Sequence, residues 1–134
     1  MNSIELFSGT GGLALGLQQA GFDHKALFEW DKASCENIKE NIANGYPGVR
    51  DWKVYQTDVR TVNYNGYTGS IQLVAGGPPC QPFSLGGKHQ AYNDKRDMFP
   101  EAVRAVRETQ PEAFIFENVK GLLRKSFSSY FNYI

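Results

Sequence analysis

A cysteine fixed between prolines, just beyond an apolar run, is the residue of this chain best placed for nucleophilic chemistry. Ile71-Gln72-Leu73-Val74-Ala75 reads as a buried strand, and Gly76-Gly77-Pro78-Pro79-Cys80-Gln81-Pro82-Phe83-Ser84 follows it. Each proline fixes its own φ and restricts the residue before it, so the loop has few conformational choices. Such a loop presents Cys80 at a defined place, as a covalent catalyst requires. A lone cysteine is more often a buried, inert side chain, so Cys80 has to be weighed by its company. Glu117-Asn118-Val119 ends another apolar run, Ala113-Phe114-Ile115-Phe116, where a carboxylate is conspicuous. If the two runs are neighbouring strands, Cys80 and Glu117 face one crevice. A thiolate and a protonatable carboxyl there suit nucleophilic attack with acid assistance. A surface glutamate capping a turn is the plain alternative for Glu117.

A second group of residues describes a nucleoside pocket. Phe7-Ser8-Gly9-Thr10-Gly11-Gly12 follows a short strand and opens a helix. Its glycines let backbone approach a ligand, and the unpaired N–H groups of a helix N-terminus suit a phosphate or a carboxylate equally. The turn lacks the full dinucleotide fingerprint and the lysine of a P-loop. It also has a purely structural reading as a tight turn. Glu29, about 20 residues further on, stands where a ribose hydroxyl would be bound. Trp30 offers a flat face to an adenine, or else packs in the core. Asp58 can accept from an adenine amino group, or else cap a helix.

These residues need a scaffold that brings strand ends together. Ile4–Phe7, Lys25–Trp30, Trp52–Gln56, Ile71–Ala75 and Ala113–Phe116 read as strands. Leu13–Ala20 reads as a helix with Leu13, Leu17 and Ala20 on one face, stopped by Gly21. Asp31 can cap a helix running to about Asn44, with Ala33, Ile38 and Ile42 as contacts. Phe99–Thr109 reads as a helix with Ala102, Val103 and Val106 inward, and Thr61–Ser70 is polar and turn-rich. Strand–helix alternation with continuous apolar strands predicts an α/β fold, a mostly parallel sheet with helices on both faces; in the order 3-2-1-4-5 its fourth and fifth strands are neighbours. Ligands of such sheets sit at the carboxyl ends of the strands, where every motif above falls. Phe127, Tyr130, Phe131 and Ile134 recur at helical spacing, which reads as a helix cut short.

With 134 residues, 41% hydrophobic and 21% charged, the chain is the size and composition of one small globular domain. Its net charge of zero gives no basic footprint for nucleic acid across the whole surface. No run approaches a membrane span, and Met1-Asn2-Ser3-Ile4-Glu5 does not resemble a signal peptide. Cys35 and Cys80 make a poor disulfide framework, so free thiols in a reducing cytoplasm are expected. No metal site is expected.

The chain resembles the N-terminal part of a bacterial DNA (cytosine-5)-methyltransferase of the restriction–modification type. The likeness rests, in order, on Phe7-Ser8-Gly9-Thr10-Gly11-Gly12, Glu29-Trp30, Asp58, Pro79-Cys80-Gln81-Pro82-Phe83-Ser84, Arg96 and Glu117-Asn118-Val119. The resemblance implies a Rossmann-like methyltransferase fold that is incomplete on its C-terminal side. It implies S-adenosylmethionine as cofactor, with S-adenosylhomocysteine as product. The cofactor would lie against Phe7, Ser8, Gly9, Gly11, Gly12, Glu29, Trp30, Asp58, Val59, Pro79 and Met98. Cys80 would attack C6 of a cytosine swung out of double-stranded DNA. Glu117 would hold or protonate N3, and Asn118 would position the cysteine loop. Ser84, Lys88 and Arg96 are the candidate DNA contacts. The family's later motifs, an arginine-bearing one, a target-recognition region and an Asn-containing one, do not occur in these residues. The expectation is therefore a partial catalytic domain over 1–134, whose activity needs further residues or a second chain. A truncated cofactor-binding fragment is the alternative reading. A nicotinamide-binding Rossmann domain is a more distant one, because it leaves Cys80 and Glu117 without a purpose.

Overall fold

The computed structural model describes residues 1–79, 97–123, 125 and 128–133. The elements are β1 (Asn2–Leu6), α1 (Gly12–Gln19), β2 (Asp23–Glu29), α2 (Lys32–Ala43), β3 (Val54–Gln56), β4 (Leu73–Gly76), α3 (Phe99–Thr109), β5 (Ala113–Phe116) and a short α4 (Ser128–Tyr133). The strands form one sheet in the order β3-β2-β1-β4-β5, and every pairing is parallel. The chain works outward from β1 to one side and then returns to build the other. The carboxyl ends of β1 and β4 therefore flank a topological switch point, where crevices of open α/β sheets form.

The pleat of the strands divides the core between two faces. On one face Ile4, Leu6, Ala26, Phe28 and Val74 pack with Tyr64 and with Ala105 of α3. On the other, Leu27 packs with Ala14 of α1, Ile38 of α2, Val49 and Trp52. The boundaries are chemically marked. Gly21 ends α1 at φ 93°, and the Gly21 and Phe22 amides donate to the carbonyls of Gln18 and Leu17, both at 3.0 Å. Asp31 caps α2, its Oδ2 accepting from the Ser34 amide at 2.7 Å. β4 closes against β1 at Gly76, where a Cβ would stand 2.6 Å from the Leu6 carbonyl oxygen. Only glycine fits there.

Several local expectations change. In α1 it is Ala14 that is buried, while Ala20 is exposed. The helix comes closest to the sheet at a residue small enough to allow it. In α2, Cys35 and Ile38 are buried and Ala33 faces out. The third strand starts at Val54. Trp52 turns into the core instead, and its indole Nε1 donates to Gln18 Oε1 at 3.2 Å. In α3 the buried positions are Phe99, Ala102, Ala105 and Thr109, with Val103 only half-buried. The polar stretch after Asp58 forms 3₁₀ turns at Val59–Thr61 and Tyr64–Tyr67, and it buries Tyr64 completely. Arg104 explains this. Its guanidinium lies 5.0 Å from the Tyr64 ring centroid and donates to the carbonyls of Val59 (2.8 Å) and Val62 (3.0 Å). Glu101 and Glu108 neutralise it at 2.8 and 2.9 Å.

Among the described residues β5 pairs only with β4. Its Phe114 and Ile115 are 61% and 46% exposed, so among the described residues the sheet has a bare apolar edge on this side.

Candidate active site

The strands deliver their polar residues to one end of the sheet. β1 finishes at Leu6, and Phe7 then takes a left-handed backbone at φ 56°, a conformation that costs a non-glycine residue of order 1 kcal/mol or more. This bends the chain away from the sheet into the glycine turn. The Ser8 amide donates to the Phe28 carbonyl at 3.3 Å, and the Gly11 amide to the Ser8 carbonyl at 2.8 Å. Gly11 has φ 89°, and a Cβ there would lie 3.0 Å from the Trp52 ring. Both the backbone angle and the space require glycine at the N-cap of α1.

Glu29 ties this turn to the next strand end. Its Oε2 accepts from the Gly9 amide and its Oε1 from the Asp31 amide, both at 2.7 Å. The carboxylate is thus held by two backbone donors, and each oxygen keeps a lone pair for a ligand hydroxyl. Beside it Trp30 is 66% exposed, so packing in the core does not account for it. Asp58 has two tasks already. It caps the 3₁₀ turn through the Arg60 amide at 3.0 Å, and both its oxygens accept from the Arg60 guanidinium at 2.6–3.0 Å. Arg60 holds the Asp58 carboxyl below the usual range, so it is ionised at neutral pH.

A cavity of about 460 Å³ joins these groups. Phe7, Phe28, Glu29, Trp30, Asp58 and Val59 line one part of it, and Gly77, Pro79 and Met98 the other. Seven residues expected at a cofactor, Phe7, Glu29, Trp30, Asp58, Val59, Pro79 and Met98, therefore share one cavity. Ser8 is buried beside it, and its Oγ has no hydrogen-bond partner. An orphaned hydroxyl at a glycine turn fits a ligand that carries a charged tail, and the exposed indole with two carboxylates fits a nucleoside. The residues present therefore suit S-adenosylmethionine. Thr57 and Arg60 also line the cavity and were not anticipated; their only signal in the sequence is that they flank Asp58.

The opposite wall comes from β4 and β5. The Glu117 amide continues the ladder to the Gly76 carbonyl at 2.9 Å, which leaves its side chain over the end of β4. Glu117 Oε2 would be 3.5 Å from a Cβ placed on Gly77. Asn118 Nδ2 donates to the Pro78 carbonyl at 2.8 Å. The end of β5 is thus fastened to the backbone that leads into Cys80. Cys80, Ser84, Lys88 and Arg96 lie outside the described residues. Among the described residues no cluster of His, Cys, Asp and Glu could hold a metal, and no helix is long and apolar enough to cross a membrane.

Comparison with known proteins agrees with this geometry. The family model for C-5 cytosine-specific DNA methylase matches residues 1–134. The type II methyltransferase M.NgoMIV of Neisseria gonorrhoeae is 46% identical over 132 residues, 98% of this chain but 40% of that protein. M.PspPI of Psychrobacter sp. is 43% identical over 120 residues, 89% of this chain and 27% of that protein. A crystal structure of a prophage-encoded DNA modification methyltransferase from Escherichia coli superposes with a TM-score of 0.72 at 34% identity, covering 99% of this chain and 36% of that one. The chain thus spans less than half the length of each of these relatives.

Proposed function

This chain belongs to the C-5 cytosine-specific DNA methylase family, and from that premise we propose that it is the cofactor-binding and catalytic part of an enzyme that methylates C5 of cytosine in DNA. Residues 1–134 would form a partial catalytic domain. Target recognition and the remaining cofactor contacts would come from the length that the relatives possess beyond this match, in the same chain or in a second one.

S-adenosylmethionine, when bound, supplies an electrophilic methyl group. The chain's own residues do the rest. Trp30 and Asp58 bind the adenine end, Glu29 orients the ribose, and the turn from Phe7 to Gly12 receives the charged tail. Cys80 forms a bond to C6 of a flipped cytosine while Glu117 holds or delivers a proton at N3, so that electron density collects at C5. After methyl transfer, a solvent water takes the C5 proton, the C5–C6 double bond re-forms and Cys80 leaves as the thiolate. Asn118, through Pro78, keeps the cysteine loop in register with Glu117. Ser84, Lys88 and Arg96 contact DNA, whose phosphates position the duplex. Such an enzyme works on cytoplasmic, nucleoid-borne DNA.

The observation that carries this reading is the shared position of Gly77. It lines the cofactor cavity on one side and lies beside Glu117 on the other, with Cys80 following closely in the chain. Calorimetric titration of the chain with S-adenosylhomocysteine, and with NAD in parallel, tests the cofactor assignment. Saturable binding of the former alone is expected, and binding of NAD alone would revive the nicotinamide reading. In an enzyme that includes the length the relatives possess beyond this match, Cys80→Ser is expected to abolish methyl transfer to DNA while leaving S-adenosylhomocysteine affinity nearly unchanged. Retained transfer would remove Cys80 as the nucleophile.

A further inference from the structure

Two buried ionisable residues that the mechanism above does not use meet the first turn of α1 at one residue, Ala14. Helix α1 begins at the glycine turn, and its N-cap, Gly11, has no side chain with which to satisfy the exposed amides. Glu5 faces this residue from below. It is 1% exposed, and the polar backbone of Ala14 opposes the burial that raises its carboxyl. His24 holds the other side of the same residue. Its Nε2 lies 2.8 Å from the Ala14 carbonyl oxygen, and its Nδ1 2.9 Å from Ser3 Oγ. A carbonyl can only accept, so Nε2 carries the proton. Burial lowers the His24 pKa and keeps the ring neutral, so Nδ1 accepts from the Ser3 hydroxyl.

The strand backbone is shaped for this. Ser3 pairs with His24 but Ile4 pairs with Ala26, so the register of β1 and β2 slips past Lys25. The irregularity turns His24 to the face that carries Ser3 and Glu5, whereas Ala26 joins Ile4 in the opposite core. The His24 ring also packs edge-on to Trp52, at 5.4 Å and 82°, and Trp52 is the side chain that abuts Gly11.

Building on the cofactor reading above, we propose that Glu5 and His24 are positioning residues that grip Ala14 from both sides and thereby hold the glycine turn in its ligand-receiving form. Each acts through backbone and touches no ligand itself. The second carboxyl oxygen, Oε2, has no partner, and burial pushes the Glu5 carboxyl up to about 8. The carboxyl is therefore the neutral acid at pH 7, a form that glutamine reproduces in shape and in its acceptor. Glutamine at position 24 likewise keeps an N–H donor near the place of Nε2.

The test compares Glu5→Met and His24→Leu, which remove the contacts, with Glu5→Gln and His24→Gln, which keep them. The first measurement is amide hydrogen exchange over residues 9–14 of the cofactor-free chain, read beside circular dichroism. Exchange at Ala14 and in the glycine turn is expected to rise about tenfold in Glu5→Met and His24→Leu, as for one lost buried hydrogen bond. The two glutamine variants are expected to stay near wild type. The second measurement is S-adenosylhomocysteine affinity, expected to weaken by about the same factor in the same two variants and to recover in the glutamine pair. Unchanged exchange in folded Glu5→Met and His24→Leu overturns the proposal, as does a loss that glutamine does not rescue. A wild-type chain that binds NAD and no S-adenosylhomocysteine, yet shows the exchange pattern, overturns the cofactor reading and leaves the grip on the turn standing.

Discussion

The two sides of the switch point are built differently. On the β1 side, Ile4, Leu6, Ala26 and Leu27 have no exposed surface, and both faces of the strands are covered by helices or turns. On the β5 side, the strand's four residues are exposed except for Phe116, which is half-buried. Phe99, Val103, Val106, Phe114, Phe116 and Leu122 line an open apolar groove of about 370 Å³ there. Phe7, Glu29, Trp30 and Asp58, proposed above for the cofactor, hang from the finished side, and Glu117 and Asn118 from the bare one. The proposed nucleoside site therefore rests mainly on well-packed strands. Among the described residues the backbone at Glu117 is held by the Gly76 carbonyl alone on that side, with β5 exposed beyond it.

Stability should follow the same division. Leu6→Ala removes a fully buried side chain from the centre of the sheet and is expected to cost about 2–5 kcal/mol in urea unfolding. Ile115→Thr, on the bare strand, is expected to cost well under about 1 kcal/mol. Equal losses would mean that β5 is as deeply packed as β1. A matched pair of glycines sharpens the contrast. Gly76→Ala drives a methyl group to 2.6 Å from the Leu6 carbonyl oxygen and should cost about 1–3 kcal/mol. Gly77→Ala meets Glu117 Oε2 at 3.5 Å and the Phe7 carbonyl oxygen at 3.9 Å, both ordinary contacts, and should be tolerated by the fold.

The buried polar pair under α1 predicts a pH dependence with a defined sign. The Glu5 carboxyl rises from its usual 4.5 to about 8 on folding, so the folded chain keeps a proton that the unfolded chain has lost. Its contribution is fully present below pH 4.5 and is lost as pH rises to about 8. His24 acts oppositely, because its folded pKa lies below the usual 6.5; its contribution is present above 6.5 and lost as pH falls. The two oppose each other on the acid side, which leaves the interval from about 6.5 to about 8 to Glu5. Stability should fall there by up to about 2 kcal/mol, at roughly 1.4 kcal/mol per pH unit. Thermal melts across that interval should decline for the wild type and stay flat for Glu5→Gln.

The parts legible in the sequence are those fixed by neighbours along the chain. The parallel sheet followed from the βα alternation, and its strand order from the resemblance. Glu29, Trp30, Asp58 and Pro79 could be singled out for a cofactor because each sits at or just after a strand-like run, whereas Val59 and Met98 came only from the resemblance. What escaped depends on contacts distant in sequence. Nothing in Asn63-Tyr64-Asn65-Gly66-Tyr67 announces that Arg104, on α3, will carry Tyr64 into the core. Arg104 thereby fixes the Val59 carbonyl at the edge of the cavity. Glu5 and His24 were missed for a related reason. In an apolar strand a polar residue reads as a face turned to solvent, and only the overlying helix reveals a backbone that needs them. Val103 was read as inward because it is apolar, but it lies beside β5, where the wall is missing.

Trp30→Ala separates binding from folding on the finished side. The indole is 66% exposed and lines the cavity, so its removal takes away little core packing. Unfolding free energy should change by less than about 0.5 kcal/mol. Stacking on an aromatic face is worth about 1–3 kcal/mol per base, so S-adenosylhomocysteine affinity should drop at least about fivefold. Trp30→Phe keeps a smaller face and should fall between the two. An unchanged affinity in Trp30→Ala would mean that the nucleoside does not lie against this residue. The assignment would then shift to the carboxylates Glu29 and Asp58, whose backbone partners already hold them in place without a ligand.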